Sequence, residues 1–372
     1  MKHEYTGITV GHKFMLGATM EYRDGEFMLV DAFKLARQGT LREDCKRFIT
    51  HFSLEGANLA VTAVSDRRDQ LMVTPELSRF ETADLLKWQI TDCVEWPEDY
   101  YFYDFVIEDM PEDMKRDGDA EQQLVYVVAL PKQIVTEMAT GFLEGHGNLE
   151  VIDFFPGALM RRYVEHKGCV LALVGEHNIE LTAWYRHMCV CKKVVPIEAG
   201  AFQAALEHIE TELFEYGVPG ICGIAMFKTD TVDMFYTSDD SGNIMAKEAA
   251  YIYDHKGGST HNEGDSNHNE GHSNLNAEEV ATFDNATEPT NIDNSVQLES
   301  VQLERINEIM NIYDPLTPIP YTVDFKQRSN MFDGRKHQEL SQKTVDEMAA
   351  TDPLTWDMAM GLAIRGLYRP SY

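Results

Sequence analysis

Cys189-Val190-Cys191 is the one close pair of cysteines in the chain. Structural zinc needs four thiolate or imidazole ligands, usually as two close pairs. No second pair stands at such a spacing, and alternation along a strand accounts for this one. His255, His261, His268 and His272 could hold a metal loosely, but they lie in a hydrated, low-complexity stretch. Asp153 and the run Glu144 to His146 carry titratable groups that a helix end and its loop account for. There is no Gly-x-Ser-x-Gly elbow for a serine nucleophile, no His-Glu-x-x-His and no P-loop. These residues predict no catalytic centre and no metal site.

The elements must therefore be read for binding. The chain has 372 residues, 44% of them hydrophobic, which is enough for two or more lobes. Its 62 Asp and Glu outnumber its 32 Lys and Arg, for a net charge of -30. Such a surface repels phosphate backbones and anionic membranes, so nucleic acid and direct membrane docking are poor expectations. A basic peptide suits it better. No stretch approaches the roughly 20 apolar residues that span a bilayer. Met1 to Thr9 lacks the apolar core of a signal peptide. Together these predict a cytoplasmic protein. Cys45, Cys93, Cys169 and Cys222 sit singly in apolar patterns and are expected as small core residues.

Alternating apolar runs predict strands at Tyr5 to Val10, Phe14 to Tyr22 and Phe27 to Lys34, with Asp24-Gly25 in a tight turn. A helix capped by Thr40 and ended by Gly56 places Cys45, Phe48, Ile49 and Phe52 on one face. A strand from Asn58 to Val64 closes the unit. The order returns at Cys169 to Val174, Ile179 to Tyr185 and Met188 to Val195. A helix with Phe202, Leu206, Ile209, Leu213 and Tyr216 on one face follows, and Ile221 to Phe227 closes this unit. The fold class predicted is α/β, actin-like: duplicated ribonuclease-H-like β-β-β-α-β units, as in actin, Hsp70 and the sugar kinases.

A capping box at Ser78 to Glu81 opens a helix with Leu85, Leu86, Ile90 and Cys93 inward. Strands at Tyr100 to Glu108 and Leu124 to Leu130 flank a charged loop, Pro111 to Glu121. This predicts a small β-α-β-β (SHS2-like) insert. A helix from Pro131 presents Ile134, Met138 and Phe142. The expected organisation is a first lobe at 1–70, the insert at 71–131, a return to the first lobe at 132–166, and a second lobe at 167–253. Residues 254–296 are low-complexity, with near-repeats at His261 to Asn274 and Ser295 to Glu304, and are expected to be disordered. Residues 297–372 return to the second lobe and end on a helix capped by Asp352, with Trp356, Ala359, Met360, Ala363 and Leu367 on one face.

Several segments resemble the type IV pilus assembly family PilM and, more distantly, the cell-division protein FtsA. Val125 to Val135 resembles the family's strand-to-helix junction. Leu149 to Arg162, with Val151-Ile152-Asp153 and Ala158-Leu159-Met160-Arg161, resembles the segment that follows. Trp356 to Leu367 resembles its C-terminal Ala-Leu-Gly-Leu-Ala-Leu-Arg helix. The resemblance covers most of the chain except about 230–345. It implies a cytosolic scaffold, peripheral to the inner membrane, in a pilus or related competence or secretion platform. It implies that the scaffold binds the short N-terminal cytosolic tail of a bitopic PilN-like protein and joins other platform or motor proteins. The implied groove lies between the first lobe and the insert, near Leu71, Val73, Leu86, Ile90, Tyr103 and Val127. An apolar or acidic lining would suit such a tail, because cytoplasmic flanks of membrane spans are rich in Lys and Arg.

Actin-fold ATPases place Asp-x-Gly after the first strand of each lobe, where the carboxylate holds Mg2+ through water. The matching positions here are Thr9-Val10-Gly11 and Leu173-Val174-Gly175: the glycines stand and the carboxylates do not. The remnants of the site are Gly11, His12, Lys13, Gly175, Glu176 and His177. The Gly-rich adenosine loop expected after Phe227 reads Lys228-Thr229-Asp230. Without metal ligands, weak or absent ATP hydrolysis is expected, with no cofactor, although weakened Mg-ATP binding is conceivable. The alternatives are a divergent actin-fold ATPase and a GspL-like secretion component. The GspL family continues into a transmembrane helix that this sequence lacks.

Overall fold

A computed structural model describes residues 4–11, 13–63, 65, 67–94, 96–110, 122–163, 167–175, 177–228, 292–324 and 342–367. The chain divides into two compact units, Met1–Tyr236 with Val301–Tyr372, and Thr237–Ser300. Of the second unit only 292–300 is described, as helix. All that follows concerns the first.

Its elements in chain order are β1 Glu4–Val10, β2 Phe14–Arg23, β3 Glu26–Ala36, α1 Leu41–Phe52, β4 Asn58–Ala63, β5 Arg68–Pro75 and α2 Arg79–Val94. There follow β6 Tyr101–Asp109, β7 Gln122–Pro131, α3 Lys132–Glu144, β8 Asn148–Ile152, α4 Gly157–Met160, β9 Lys167–Val174, β10 Asn178–Tyr185 and β11 Met188–Pro196. The last are α5 Ala199–Glu215, β12 Gly223–Lys228, α6 Ile292–Met310, which enters this unit at Val301, β13 Thr322–Val323, α7 Gln342–Thr351 and α8 Pro353–Leu367.

Two sheets repeat one plan. The first runs β13-β3-β2-β1-β4-β8 and the second β11-β10-β9-β12. In each, a meander of three antiparallel strands is followed by a helix and a fourth strand parallel to the first. A parallel neighbour needs a crossover, and α1 and α5 supply the two crossovers. This is the α/β actin-like fold. A third, antiparallel sheet runs β5-β7-β6, with α2 on one face.

β1 is buried along nearly its whole length because both of its faces are covered. Ile8 and Val10 pack with Phe48, Ile49, Met138 and Phe142 of α1 and α3. On the opposite face lies α8. Its Ala359, Met360 and Ala363 join Ala18, Met20 and Leu29 in a separate cluster. The approach is close. A Cβ on Gly7 would stand 1.9 Å from the Ala359 carbonyl oxygen, and one on Gly361 2.2 Å from that of Ala158. Small residues at these points let the helix axis sit against the strand and α4. The sequence predicts a helix apolar on one face, but α8 is buried nearly all round, because α4 covers the side that the pattern left for water.

Two further expectations are corrected. α1 ends not at Gly56 but at Ser53, which takes the left-handed conformation (φ 54°) while its N–H reaches the Ile49 carbonyl. Cys45 and Cys169 are core residues as expected, whereas Cys222 is exposed, its Sγ 3.6 Å from that of Cys169. Thr40 does cap α1, with Glu43 completing the capping box. The charged loop at Pro111 to Glu121, the low-complexity stretch up to 291 and the Cys93 side chain lie outside the described residues. Among the described residues, no helix is long and apolar enough to cross a membrane.

Candidate functional site: a cavity with an arginine floor

β8 extends the parallel side of the first sheet and delivers Asp153 just past its end. The Asp153 N–H continues the ladder to the Val61 carbonyl at 2.8 Å, and its carbonyl accepts the Thr62 hydroxyl at 2.9 Å. Oδ1 accepts the Phe154 N–H at 2.9 Å. The carboxylate is thus fixed at the backbone, with 2% of its side chain exposed. Two arginines converge on Oδ2: Arg161, in the 3-10 turn after α4, at 3.6 Å, and Arg365, in the last turn of α8, as a direct ion pair. Burial pushes the Asp153 carboxyl up, but Arg365, Arg161 and the Phe154 N–H pull harder and hold it below its ordinary value.

These three residues form the floor of a cavity of about 170 Å³. Its walls are Phe102, Tyr103, Asp104, Phe105 and Val106 of β6, Tyr126, Val128 and Leu130 of β7, Val135 of α3, and Ile152, Phe154 and His187. Tyr126 is positioned from behind, its hydroxyl donating to Asp69 Oδ2 at 2.7 Å; Asp69 in turn meets Arg67, 3.1 Å away. Phe154 stacks on Trp184, ring centroids 6.3 Å apart. His187 lies in the β10–β11 turn with Nε2 3.3 Å from Glu108 Oε1, and Arg186 Nη1 lies 2.7 Å from Oε2 of the same carboxylate. Burial, then Arg161, Arg365 and Arg186, push the His187 imidazole down to about 4, so it is neutral near pH 7. The walls are mostly apolar, with Asp104 and His187 among them, and the floor is not acidic: two guanidiniums face one carboxylate.

Of the six positions expected in the groove, Tyr103 lines this cavity. Leu86 and Ile90 are buried on α2, and Val127 faces them from β7, on the other side of the small sheet from Tyr126 and Val128. Leu71 packs toward the main core and Val73 is exposed. The alternation was legible, but which face of the sheet met the lobe was not. A shift of one residue along a strand exchanges faces. Asp153, which the sequence reading assigns to a loop, is the residue missed. Its signal was an acidic residue directly after an apolar strand in a segment with two arginines nearby.

The two turns matching the nucleotide site close on themselves. Gly11 N–H donates to the Phe14 carbonyl at 2.9 Å, and Gly175 N–H to the Asn178 carbonyl at 2.8 Å. Arg37, ion-paired with Asp44, donates to the Gly11 carbonyl, and its N–H meets the Lys13 carbonyl. Lys13 and His177 are exposed; His12 and Glu176 lie outside the described residues. Cys189 is buried and Cys191 half-buried on β11. Among the described residues no cluster of three or more His, Cys, Asp or Glu is placed to hold a metal ion.

No family model matches the sequence, and no curated protein matches it. Solved structures do. A PilM-PilN type IV pilus biogenesis complex is similar over 98% of this chain and 99% of that chain, at 12% identity and a TM-score of 0.50. The cytoplasmic domain of EpsL, an inner-membrane component of the type II secretion system of Vibrio cholerae, matches 66% of this chain and 95% of that one, at 8% identity and a TM-score of 0.38. A Bacteroides thetaiotaomicron protein with an actin-like ATPase fold matches 68% of this chain and 89% of that one, at 10% identity and a TM-score of 0.33. At 12% identity the likeness to the first of these shows the fold alone.

Proposed function

We propose that this protein is a peptide-binding scaffold of a type IV pilus or related secretion platform. It works at the cytoplasmic face of the inner membrane and holds the cytosolic tail of a PilN-like membrane protein. The observation that carries the reading is the cavity between the small sheet and the first lobe, apolar along its walls and polar at its floor. Specific ligand sites have this composition: apolar area for affinity and a few fixed polar groups for orientation. The similarity of nearly the whole chain to the PilM-PilN complex supports the choice of partner. Nucleotide hydrolysis has no part in the proposal. The carboxylates that would hold Mg2+ are replaced at Thr9 and Leu173, and the turn amides are already bonded within their own turns.

The test is fluorescence anisotropy of a labelled PilN-like tail peptide, titrated with the wild type and with Phe102→Glu. Phe102 is 46% exposed at the cavity wall, so the change places a charge in the cavity without emptying the core. Saturable binding that weakens at least about tenfold in the variant is expected. Binding unaffected by the variant would move the site elsewhere, and no binding would reject the proposed partner.

A further inference from the structure

We propose that the occupant of the cavity is an extended peptide that joins the small sheet as a fourth strand along the outer edge of β6 and lays one acidic side chain on Arg161 and Arg365. The proposal rests on the peptide-binding reading above and specifies its geometry.

The first observation is which residues line the cavity. β7 contributes Tyr126, Val128 and Leu130, every second residue, as a strand seen face-on must. β6 contributes Phe102, Tyr103, Asp104, Phe105 and Val106 without a gap. An unbroken run is available only where the cavity meets a strand edge-on. The register agrees. Tyr103 pairs with Ala129 and Phe105 with Val127, which puts both side chains on the α2 side of the sheet. Phe105 is buried there beneath the Arg79 guanidinium. Main chain therefore brings these two residues to the cavity. Among the described residues β6 pairs with β7 alone; the Phe105 N–H is held by Asp104 Oδ1 at 2.8 Å, a local bond that an incoming strand would displace to reach this edge. Exposed edges are commonly guarded by Lys, Pro or a bulge. Phe102 to Val106 carries one charged residue, Asp104, and contains neither Lys nor Pro, and its pairing with β7 runs without a bulge. Strand addition is a general way to hold an extended peptide: main-chain bonds give affinity, and alternate side chains give specificity.

The second observation is charge. Arg161 and Arg365 share Asp153, and Arg161 Nε, with 14% of the side chain exposed, has no hydrogen-bond acceptor. His187 adds no charge near pH 7, since burial and the arginines keep it neutral. At the floor itself there is one more guanidinium than carboxylate, the second carboxylate of the lining, Asp104, standing exposed at the rim beside Arg79, and a carboxylate from the occupant would offset the difference. A lysine or arginine directed at the floor would meet like charge. Basic residues of the same peptide belong at the rim, where Asp104 is 87% exposed.

The test begins with displayed random dodecapeptides panned against the full chain, keeping those lost by Phe102→Glu. Amide hydrogen exchange is then measured with and without peptide. Each peptide is also resynthesised with single N-methyl amides, and with Gln for each acidic residue. Expected are slowed exchange at Phe102–Val106, affinity lost about tenfold or more for N-methylation at alternate residues only, and a similar loss for one Glu or Asp. Arg161→Gln should erase the preference for that acid and Arg161→Lys should keep it, the latter also serving as folding control. Phe102-dependent peptides that leave β6 exchange unchanged and tolerate every N-methyl group would overturn strand addition while leaving peptide binding intact. Binders that need no acid, or share a basic residue at the floor, would overturn the electrostatic half. Recovery of no Phe102-dependent peptide would overturn both this proposal and the reading beneath it.

Discussion

Replacing Asp153 by Asn removes the carboxylate that both Arg161 and Arg365 face, leaving two guanidiniums close together in a mostly buried site. Removing one member of a buried ionic group costs about 3 kcal/mol or more, because the remaining charge stays desolvated. Chemical denaturation of Asp153→Asn should show a loss of this order. The same carboxylate couples stability to pH. Its folded value lies below its unfolded one, so its contribution is present above the unfolded value, about 3.9, and disappears as pH falls through the folded value. His187 has the same sign over a higher window. Held down to about 4 when folded against roughly 6.5 when unfolded, it stabilises fully above the unfolded value, and that stabilisation is lost between about pH 6.5 and 4. Asp153 opposes the depression, but burial and three arginines outweigh it; the Glu108 carboxylate lies 3.3 Å from Nε2. Titration of the His187 imidazole by NMR should give a midpoint well below 6.5, and a His187→Gln variant should lose less stability than the wild type between pH 6.5 and 4. A midpoint at or above 6.5 would show that the carboxylates beside the ring outweigh burial and the arginines. None of this was legible from residue types alone. Asp153 and Arg161 are neighbours in sequence, but Arg365 is far from both, and only the packing of α8 against β1 and α4 brings it to them.

At the scale of elements, the strand periods and helix caps were legible because they are local. Thr40 with Glu43 and Ser78 with Glu81 form the capping boxes that their spacing predicts. Thr40→Ala should cost about 1 kcal/mol in thermal or chemical unfolding, the usual value of an N-cap. What a local pattern cannot give is which side of an element meets a neighbour. The small sheet has two apolar faces, one under α2 and one over the lobe, so alternation alone could not say whether Val127 or Val128 met the cavity. Likewise α8 shows an apolar stripe in sequence, but it is enclosed by β1, β2 and α4. The glycines record that enclosure. Gly7→Ala and Gly361→Ala each push a methyl group into backbone within 2.2 Å. Overpacking of this kind costs about 1–3 kcal/mol or more, and the two variants should unfold at lower denaturant concentration than wild type. A Gly7→Ala protein as stable as wild type would show that α8 does not dock as described.

At the scale of the molecule, the duplicated units, the third sheet and the C-terminal helix make an actin-like body with a cavity beside the insert. The two turns matching an actin-fold phosphate site carry Thr9 and Leu173 where such a site would have acidic residues. Their glycine amides are spent on turn closure, whereas the cavity below β6 has fixed charges and a strand that, among the described residues, pairs on one side only. The net charge of -30 would steer a basic tail toward the surface, and the arginine floor would then select within it. The most direct test is calorimetry of the purified full chain against a PilN-like cytosolic tail peptide, with Mg-ATP titrated in parallel. Saturable heat from the peptide and none from Mg-ATP is the predicted result. Heat from Mg-ATP with none from the peptide would contradict the scaffold and make the protein a divergent nucleotide-binding member of its fold.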